Sequence, residues 1–121
     1  MVRKFKQLKK ILCFDLDGVI CNTPGNEYKK SKPIIKNIKK INDLYDKGFK
    51  IIVYTARFMN RSNESVKVAH KKGFKFTFKQ LKKWNLKFDV LKFGKPSYDL
   101  IIDDKSLFYK KNWSTEINKY L

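Results

Sequence analysis

Four short apolar runs punctuate the chain, and the stretches between them carry helical spacing. Ile11-Leu12-Cys13-Phe14 and Ile51-Ile52-Val53-Tyr54 are continuous and β-rich, as buried strands are. Weaker runs cover Asp89 to Phe93 and Tyr98 to Ile102, giving four expected strands. Pro24 and Gly25 mark a loop after the first run. Ser31-Lys32-Pro33 then opens a helix, with Ile34, Ile38, Ile41 and Tyr45 on one face and Gly48 as its stop. Ser62 is expected to cap a second helix that runs to about Lys72 and ends at Gly73. Thr77-Phe78-Lys79-Gln80 has the form of a capping box, predicting a third helix over roughly Phe78 to Asn85. The tail, Leu107 to Leu121, holds Trp113 and a short helix near Thr115 to Tyr120.

Strands that alternate with helices predict an α/β fold: a Rossmann-like three-layer sandwich around a mainly parallel sheet, with right-handed crossovers. At 121 residues and 42% hydrophobic composition the chain is expected to form one domain, residues 1–121, with a single core. No run nears the ~18 apolar residues that span a bilayer. The basic segment Met1 to Lys10 lacks the apolar stretch of a signal peptide. With only two cysteines, Cys13 and Cys21, both are expected as reduced thiols, Cys13 buried in its strand. These features predict a cytoplasmic protein.

The charge changes this picture less than its size implies. The formal net charge is +18, which attracts polyanions. Yet 26 of the 29 basic residues are lysine, and only Arg3, Arg57 and Arg61 offer the bidentate geometry that nucleic-acid readers favour. The lysines read as spread over all elements, with no dedicated basic helix, so nucleic acid is a disfavoured partner. The 11 acids say more, because Asp15, Asp17, Asp103 and Asp104 fall in two tight clusters.

Those clusters sit where strands end. Asp15 and Asp17 follow the first run, Thr55-Ala56-Arg57 the second, Lys95 the third, and Asp103-Asp104 the fourth. In an open α/β sheet the carboxyl ends of the strands border the ligand crevice. Acids held there are costly unless a cation or a reaction requires them. Taken singly, the residues are weaker signals. Thr55 alone fits an ordinary strand, and Arg57 either touches a substrate phosphate or pairs with an acid. His70 reads as a helix-surface residue, and Phe74, Phe76, Phe78 and Trp84 read as core.

The segments FDLDGVI, IIVYTAR, FGKPSYD and LIIDDKS, in that order and spacing, resemble the haloacid dehalogenase-like (HAD) phosphohydrolases over about Lys10 to Lys110. The resemblance implies a magnesium-dependent phosphatase. Asp15 would be the nucleophile that forms an aspartyl-phosphate. Asp17 would protonate the leaving oxygen and then activate water. Thr55, Ala56, Arg57 and Lys95 would bind the phosphoryl group, Lys95 also neutralising Asp15. Magnesium would take the Asp15 carboxylate, the Asp17 carbonyl and Asp103, with Asp104 either a supporting group or the direct ligand instead.

Forty residues separate Asp15 from Thr55, and forty more separate Thr55 from Lys95. The expected elements fill both intervals, so the core resembles members that lack a cap domain. The site of such a member is open unless a neighbouring subunit of a homo-oligomer covers it. A narrower likeness to small capsule or lipopolysaccharide biosynthesis phosphatases implies a sugar or polyol phosphate, a small phosphorylated metabolite, as substrate. The alternatives are a nucleotide or polynucleotide 3′-phosphatase, and a non-catalytic basic scaffold for RNA or a membrane.

Overall fold

A computed structural model describes residues 10–121; the basic N-terminal segment, Arg3 included, lies outside the described residues. Strand β1 (Ile11–Asp15) leads into a tight turn and a two-residue strand, β2 (Cys21–Asn22), which pairs antiparallel with β3 (Lys32–Pro33). Helix α1 (Ile35–Asp46) precedes β4 (Lys50–Thr55), and α2 (Val66–Lys83) precedes β5 (Val90–Phe93). A single turn of helix, α3 (Trp113–Glu116), continues into a 3-10 turn at Ile117–Tyr120. The main sheet is fully parallel, in the order β1-β4-β5. The α/β class is therefore as expected.

Burial alternates along the strands. In β4 the side chains of Ile51, Val53 and Thr55 are buried and their neighbours are not. Leu91 and Phe93 do the same in β5. This face packs against Ile38, Ile41 and Leu44 of α1 and Ala69 and Leu81 of α2 in one continuous core. The opposite face is only partly covered, and β1 is an edge strand. Cys13 points to that face and is exposed, not buried as expected. Both cysteines are free thiols.

Helix α1 ends as predicted. Gly48 adopts a φ of +99°, and its N–H donates to the Tyr45 carbonyl at 3.1 Å, closing the helix in the left-handed turn that glycine favours. Pro33 stands two residues before the helix, whose N-cap is Ile34.

Helix α2 departs from expectation. One continuous helix of 18 residues replaces the two short ones, capped by Ser65, whose Oγ accepts from Val68 N, and not by Ser62. Gly73 lies mid-helix on the buried stripe Ala69, Gly73, Thr77, Leu81. A Cβ there would come within 2.3 Å of the Phe58 ring. The glycine is thus a packing notch, which sequence alone confuses with a stop. The continuous helix also gathers seven lysines and no acid, a basic face that scattered lysines did not predict. Phe74 and Trp84 are partly buried as core flank, whereas Phe78 stands at the surface and His70 stacks on Phe74 at 4.5 Å.

The fourth expected strand does not form. Tyr98 to Ile102 pairs with no strand, and Leu100 and Ile102 are 79% and 93% exposed. After β5 the chain is drawn elsewhere: Ser97 makes two hydrogen bonds to the Glu64 carboxylate. Among the described residues, no helix is long and apolar enough to cross a membrane.

Gly73→Ala separates the packing role from the propensity role. Alanine would favour an ordinary helix by ~1 kcal/mol. Here the expected result is a net loss of about 1–3 kcal/mol from overpacking against Phe58, read as a lower urea midpoint with unchanged slope. A stabilised variant would remove Phe58 from the notch.

Candidate active site

The carboxyl ends of the three parallel strands deliver Asp15, Thr55 and, just past β5, Lys95 to one edge of the sheet. Lys95 N donates to the Thr55 carbonyl at 3.1 Å, continuing the β4–β5 pairing one step beyond Phe93. This places its side chain beside β1, where Nζ lies 3.2 Å from Asp15 Oδ1. Leu16 N also donates to Asp15 Oδ1 at 2.9 Å. Burial pushes the Asp15 carboxyl above its ordinary range, and Lys95 offsets this only in part. Burial alone would lower the Lys95 ammonium, but Asp15 and Tyr98 outweigh it and raise it, so the lysine stays charged.

Asp17 is held by a turn. The Leu16 carbonyl accepts from Val19, Ile20 and Cys21 N–H, and Gly18 takes a φ of +94° that few other residues tolerate. The Asp17 carboxylate meets Arg57 side-on, with Nη2 at 2.9 Å from Oδ1 and Nε at 3.0 Å from Oδ2. Thr23 donates to Oδ1 as well. Burial works to raise the Asp17 carboxyl, but Arg57, Thr23 and Cys21 outweigh it and hold the group below its ordinary value. Asp17 is therefore ionised at neutral pH. Burial and the neighbouring Asp17 charge push the Cys21 thiol up to about 11.

Arg57 is 1% exposed, an unusual place for a guanidinium. Its Nη1 donates to Gln80 Oε1 at 2.7 Å and to Thr77 Oγ1 at 3.4 Å. Its Nη2 donates to Ser31 Oγ at 3.2 Å, and its guanidinium carbon lies 4.7 Å from the Tyr28 ring centroid. Arg57 thus pairs with an acid, one of the two roles weighed for it. Thr77 and Gln80, which mimic a capping box in sequence, are the residues that receive it. Thr55 is fully buried and its Oγ1 accepts from Arg57 N at 3.0 Å. It supports the arginine and does not line the cleft, whereas Ala56 does.

The cleft has a volume of about 940 Å³ and is bordered by Asp15, Asp17, Ala56, Arg57 and Lys95. Sequence reasoning missed Tyr28, Phe58 and Arg61, which line it too. The available signal was the arginine itself, one of three in a chain with 26 lysines.

Asp103 and Asp104 are not brought here. Both are exposed and neither lines the cleft. Asp103 instead closes a local turn, accepting from Lys105 N on its carboxylate and from Ser106 Oγ on its carbonyl. Their expected place depended on the fourth strand, which is absent. Among the described residues no group of three or more His, Cys, Asp or Glu converges as a metal cage. The residues present still fit magnesium, which is commonly bound by one or two carboxylates together with substrate phosphate and water. Asp15 has the appropriate chemistry: an oxygen donor whose burial leaves it short of positive charge even with Lys95 beside it.

No family model and no curated protein matches the chain. Among solved structures, an MCSG target from Vibrio cholerae is similar with a TM-score of 0.77 at 21% identity, over 93% of this chain and 98% of that one. A chain of a Pnkp1/Rnl/Hen1 complex is similar with a TM-score of 0.52 at 16% identity, over 96% of this chain. This chain spans only 35% of that longer one. At such identities the likeness is one of fold.

The Arg57–Asp17 pair makes a pH prediction. The folded Asp17 carboxyl lies below the usual value of 3.8, so its contribution is fully present above that pH. It is lost as pH falls through the lower folded value. Asp17→Ala, which strands a buried guanidinium, is expected to cost about 3–5 kcal/mol at pH 7. In denaturant titrations the gap from wild type should narrow below about pH 4. A gap that is small at pH 7, or independent of pH, would contradict the pairing.

Proposed function

We propose that this protein is a magnesium-dependent phosphatase of small phosphate monoesters that acts through an aspartyl-phosphate. One observation carries the reading: Lys95 lies 3.2 Å from Asp15 in a cleft that also holds Asp17. A carboxylate beside a fixed ammonium can attack an anionic phosphoryl group, because the lysine neutralises charge that would repel the approach. Of the segments that resemble the haloacid dehalogenase-like phosphohydrolases, those that carry Asp15, Asp17 and Lys95 imply the same roles for these residues.

In the proposed reaction Asp15 attacks phosphorus and the bond from phosphorus to the ester oxygen breaks. The leaving oxygen takes a proton from Asp17. Arg57 keeps Asp17 ionised at rest, so that proton first comes from the ester's own monoprotonated phosphate. Asp17 then accepts a proton from the water that hydrolyses the aspartyl-phosphate and passes it to the free phosphate, which leaves and returns Asp17 to its ionised state. Asp15 and the Asp17 carbonyl would hold magnesium, which supplies charge neutralisation at the phosphoryl oxygens. Asp103 and Asp104 can join only if Tyr98 to Ile102 moves toward β1. Comparison of Asp103→Asn with Asp104→Asn tests that part of the assignment.

A nucleotide or polynucleotide 3′-phosphatase is the second reading, and the acid-free lysine face of α2 favours it. A non-catalytic scaffold has no need of the Asp15–Lys95 pair. A surface-glycan precursor and a homo-oligomer that covers the site are parts of the proposal that rest on the sequence resemblance, and the cytoplasm is a part that rests on the cysteine content and the basic, non-apolar N-terminal segment.

Asp15→Asn is expected to abolish turnover in a screen of phosphorylated metabolites while the circular dichroism spectrum is preserved. Activity within about tenfold of wild type, ~1.4 kcal/mol of barrier, would sink the nucleophile. Exhaustive chelation should stop hydrolysis and magnesium restore it, with calcium a poor substitute. Magnesium should also raise the melting temperature of the protein without substrate, since a ligand bound only to the folded state stabilises it.

Salt separates the two substrate readings. For a small substrate kcat/KM should change modestly between 50 and 200 mM salt. A polynucleotide gripped by six or more lysines should lose ~10³-fold over the same range. A steep slope, with higher kcat/KM for a 3′-phosphorylated oligonucleotide at physiological salt, would promote the second reading.

A further inference from the structure

Arg61 is the second arginine among the described residues, and like Arg57 it lines the cleft. In a chain with 26 lysines this placement is selective. Lysine supplies charge equally well at an exposed site, whereas arginine adds a planar fork that matches carboxylate or phosphate oxygens two at a time. Of the other cleft cations, Arg57 has Asp17, Lys95 has Asp15, and Lys30 has Glu27 at 3.2 Å, while Lys32 makes no ion pair with a described acid and offers no planar fork. Arg61 makes no ion pair with any described acid, and its Nη2 donates to the Asn26 carbonyl.

Its position is nevertheless built. The guanidinium carbon lies 5.1 Å from the Tyr28 ring centroid and 5.1 Å from that of Phe58. The two rings pack on one another at 5.0 Å. Phe58 is in turn seated in the Gly73 notch of α2. It also holds a φ of +65°, a strained conformation for a bulky residue, and Asn63 and Glu64 are left-handed as well. Asn63 accepts this region readily, so Phe58 is the clearest case of strain, and strain at a bulky residue is of the kind that gathers at ligand clamps. Arg57 and Arg61 both lie over Tyr28, at 4.7 and 5.1 Å from the same centroid, so the loop sets a second guanidinium in the cleft that Asp15 and Asp17 border.

We propose that Arg61 is a specificity-determining residue that receives a second anionic group of the substrate, making the substrate class a phosphate monoester with an additional carboxylate or phosphate. The inference rests on the phosphatase reading for the phosphate at Asp15, but the subsite is defined by its own residues. Tyr28 and Phe58 hold the guanidinium in place, so little ordering is needed when the second anion arrives.

The test uses three probes: glucose 6-phosphate, 6-phosphogluconate and glucose 1,6-bisphosphate. These carry respectively no second anion, a carboxylate and a second phosphate. Wild-type protein is expected to favour at least one doubly anionic probe by about tenfold or more in kcat/KM, the scale of a hydrogen-bonded charge contact. Arg61→Gln should collapse that ratio, chiefly through KM, and Arg61→Lys should restore only part of it. Calorimetric binding of the same probes, without magnesium, reads the subsite independently of chemistry. Preference in binding that depends on Arg61, with no hydrolysis of any probe, would keep the subsite and defeat the phosphatase reading. Hydrolysis of the probes with a ratio that Arg61→Gln leaves unmoved, or an equal loss on all three, would overturn the subsite alone.

Discussion

A buried guanidinium is the constraint around which the rest of this structure is arranged. Arg57 sits at the end of the central strand with almost no access to solvent. Removing such a charge from water costs several kcal/mol unless its donors are all received. Five segments supply what it needs: the turn after β1 gives Asp17, β2 gives Cys21, the loop before β3 gives Tyr28 and Ser31, β4 gives Thr55, and α2 gives Thr77 and Gln80. The same contacts that satisfy the arginine therefore set the β2–β3 hairpin and α2 against the sheet. Loss of either side of the Arg57–Asp17 pair would loosen the cleft as well as the charge balance.

That arrangement divides the two carboxylates. Asp17 is bound on both oxygens and kept ionised, while Asp15 is raised by burial and met by one lysine. Two acids in neighbouring positions but opposite surroundings are the usual preparation for distinct roles. The direction is informative: the strongly held Asp17 suits proton acceptance, and the less satisfied Asp15 is the one left wanting a further cation.

The aromatic lining extends this economy to the outer cleft. Tyr28 serves Arg57 on its way into the core and Arg61 on the cleft wall. Gly73 permits Phe58 to complete that wall, at the cost of a weaker helix residue. A basic protein generally needs no special device to attract an anion. It does need one to hold a cation in a chosen orientation, and the ring pair under Arg61 is such a device.

Much of this was legible in the chain. Period and turn chemistry are local properties, so β1, α1, β4 and β5, the Gly48 stop and the strand-end positions of Asp15, Asp17, Thr55 and Lys95 could be read without coordinates. Whatever depends on distant partners could not. Arg57 meets Asp17 across 40 residues, and Gly73 looks like a stop until Phe58 is seen in its notch. Thr77 and Gln80 look like a cap until Arg57 is found between them and the cleft. Tyr98 to Ile102 carries strand-forming side chains, but pairing requires an edge in reach, and the Ser97–Glu64 contact leads the chain away. Sequence thus determined which residues stand at the carboxyl ends of the three strands that form, though not that the fourth would fail. Tertiary structure decided which of them share a cleft, because burial of a charge is settled by its partners and not by its neighbours in the chain.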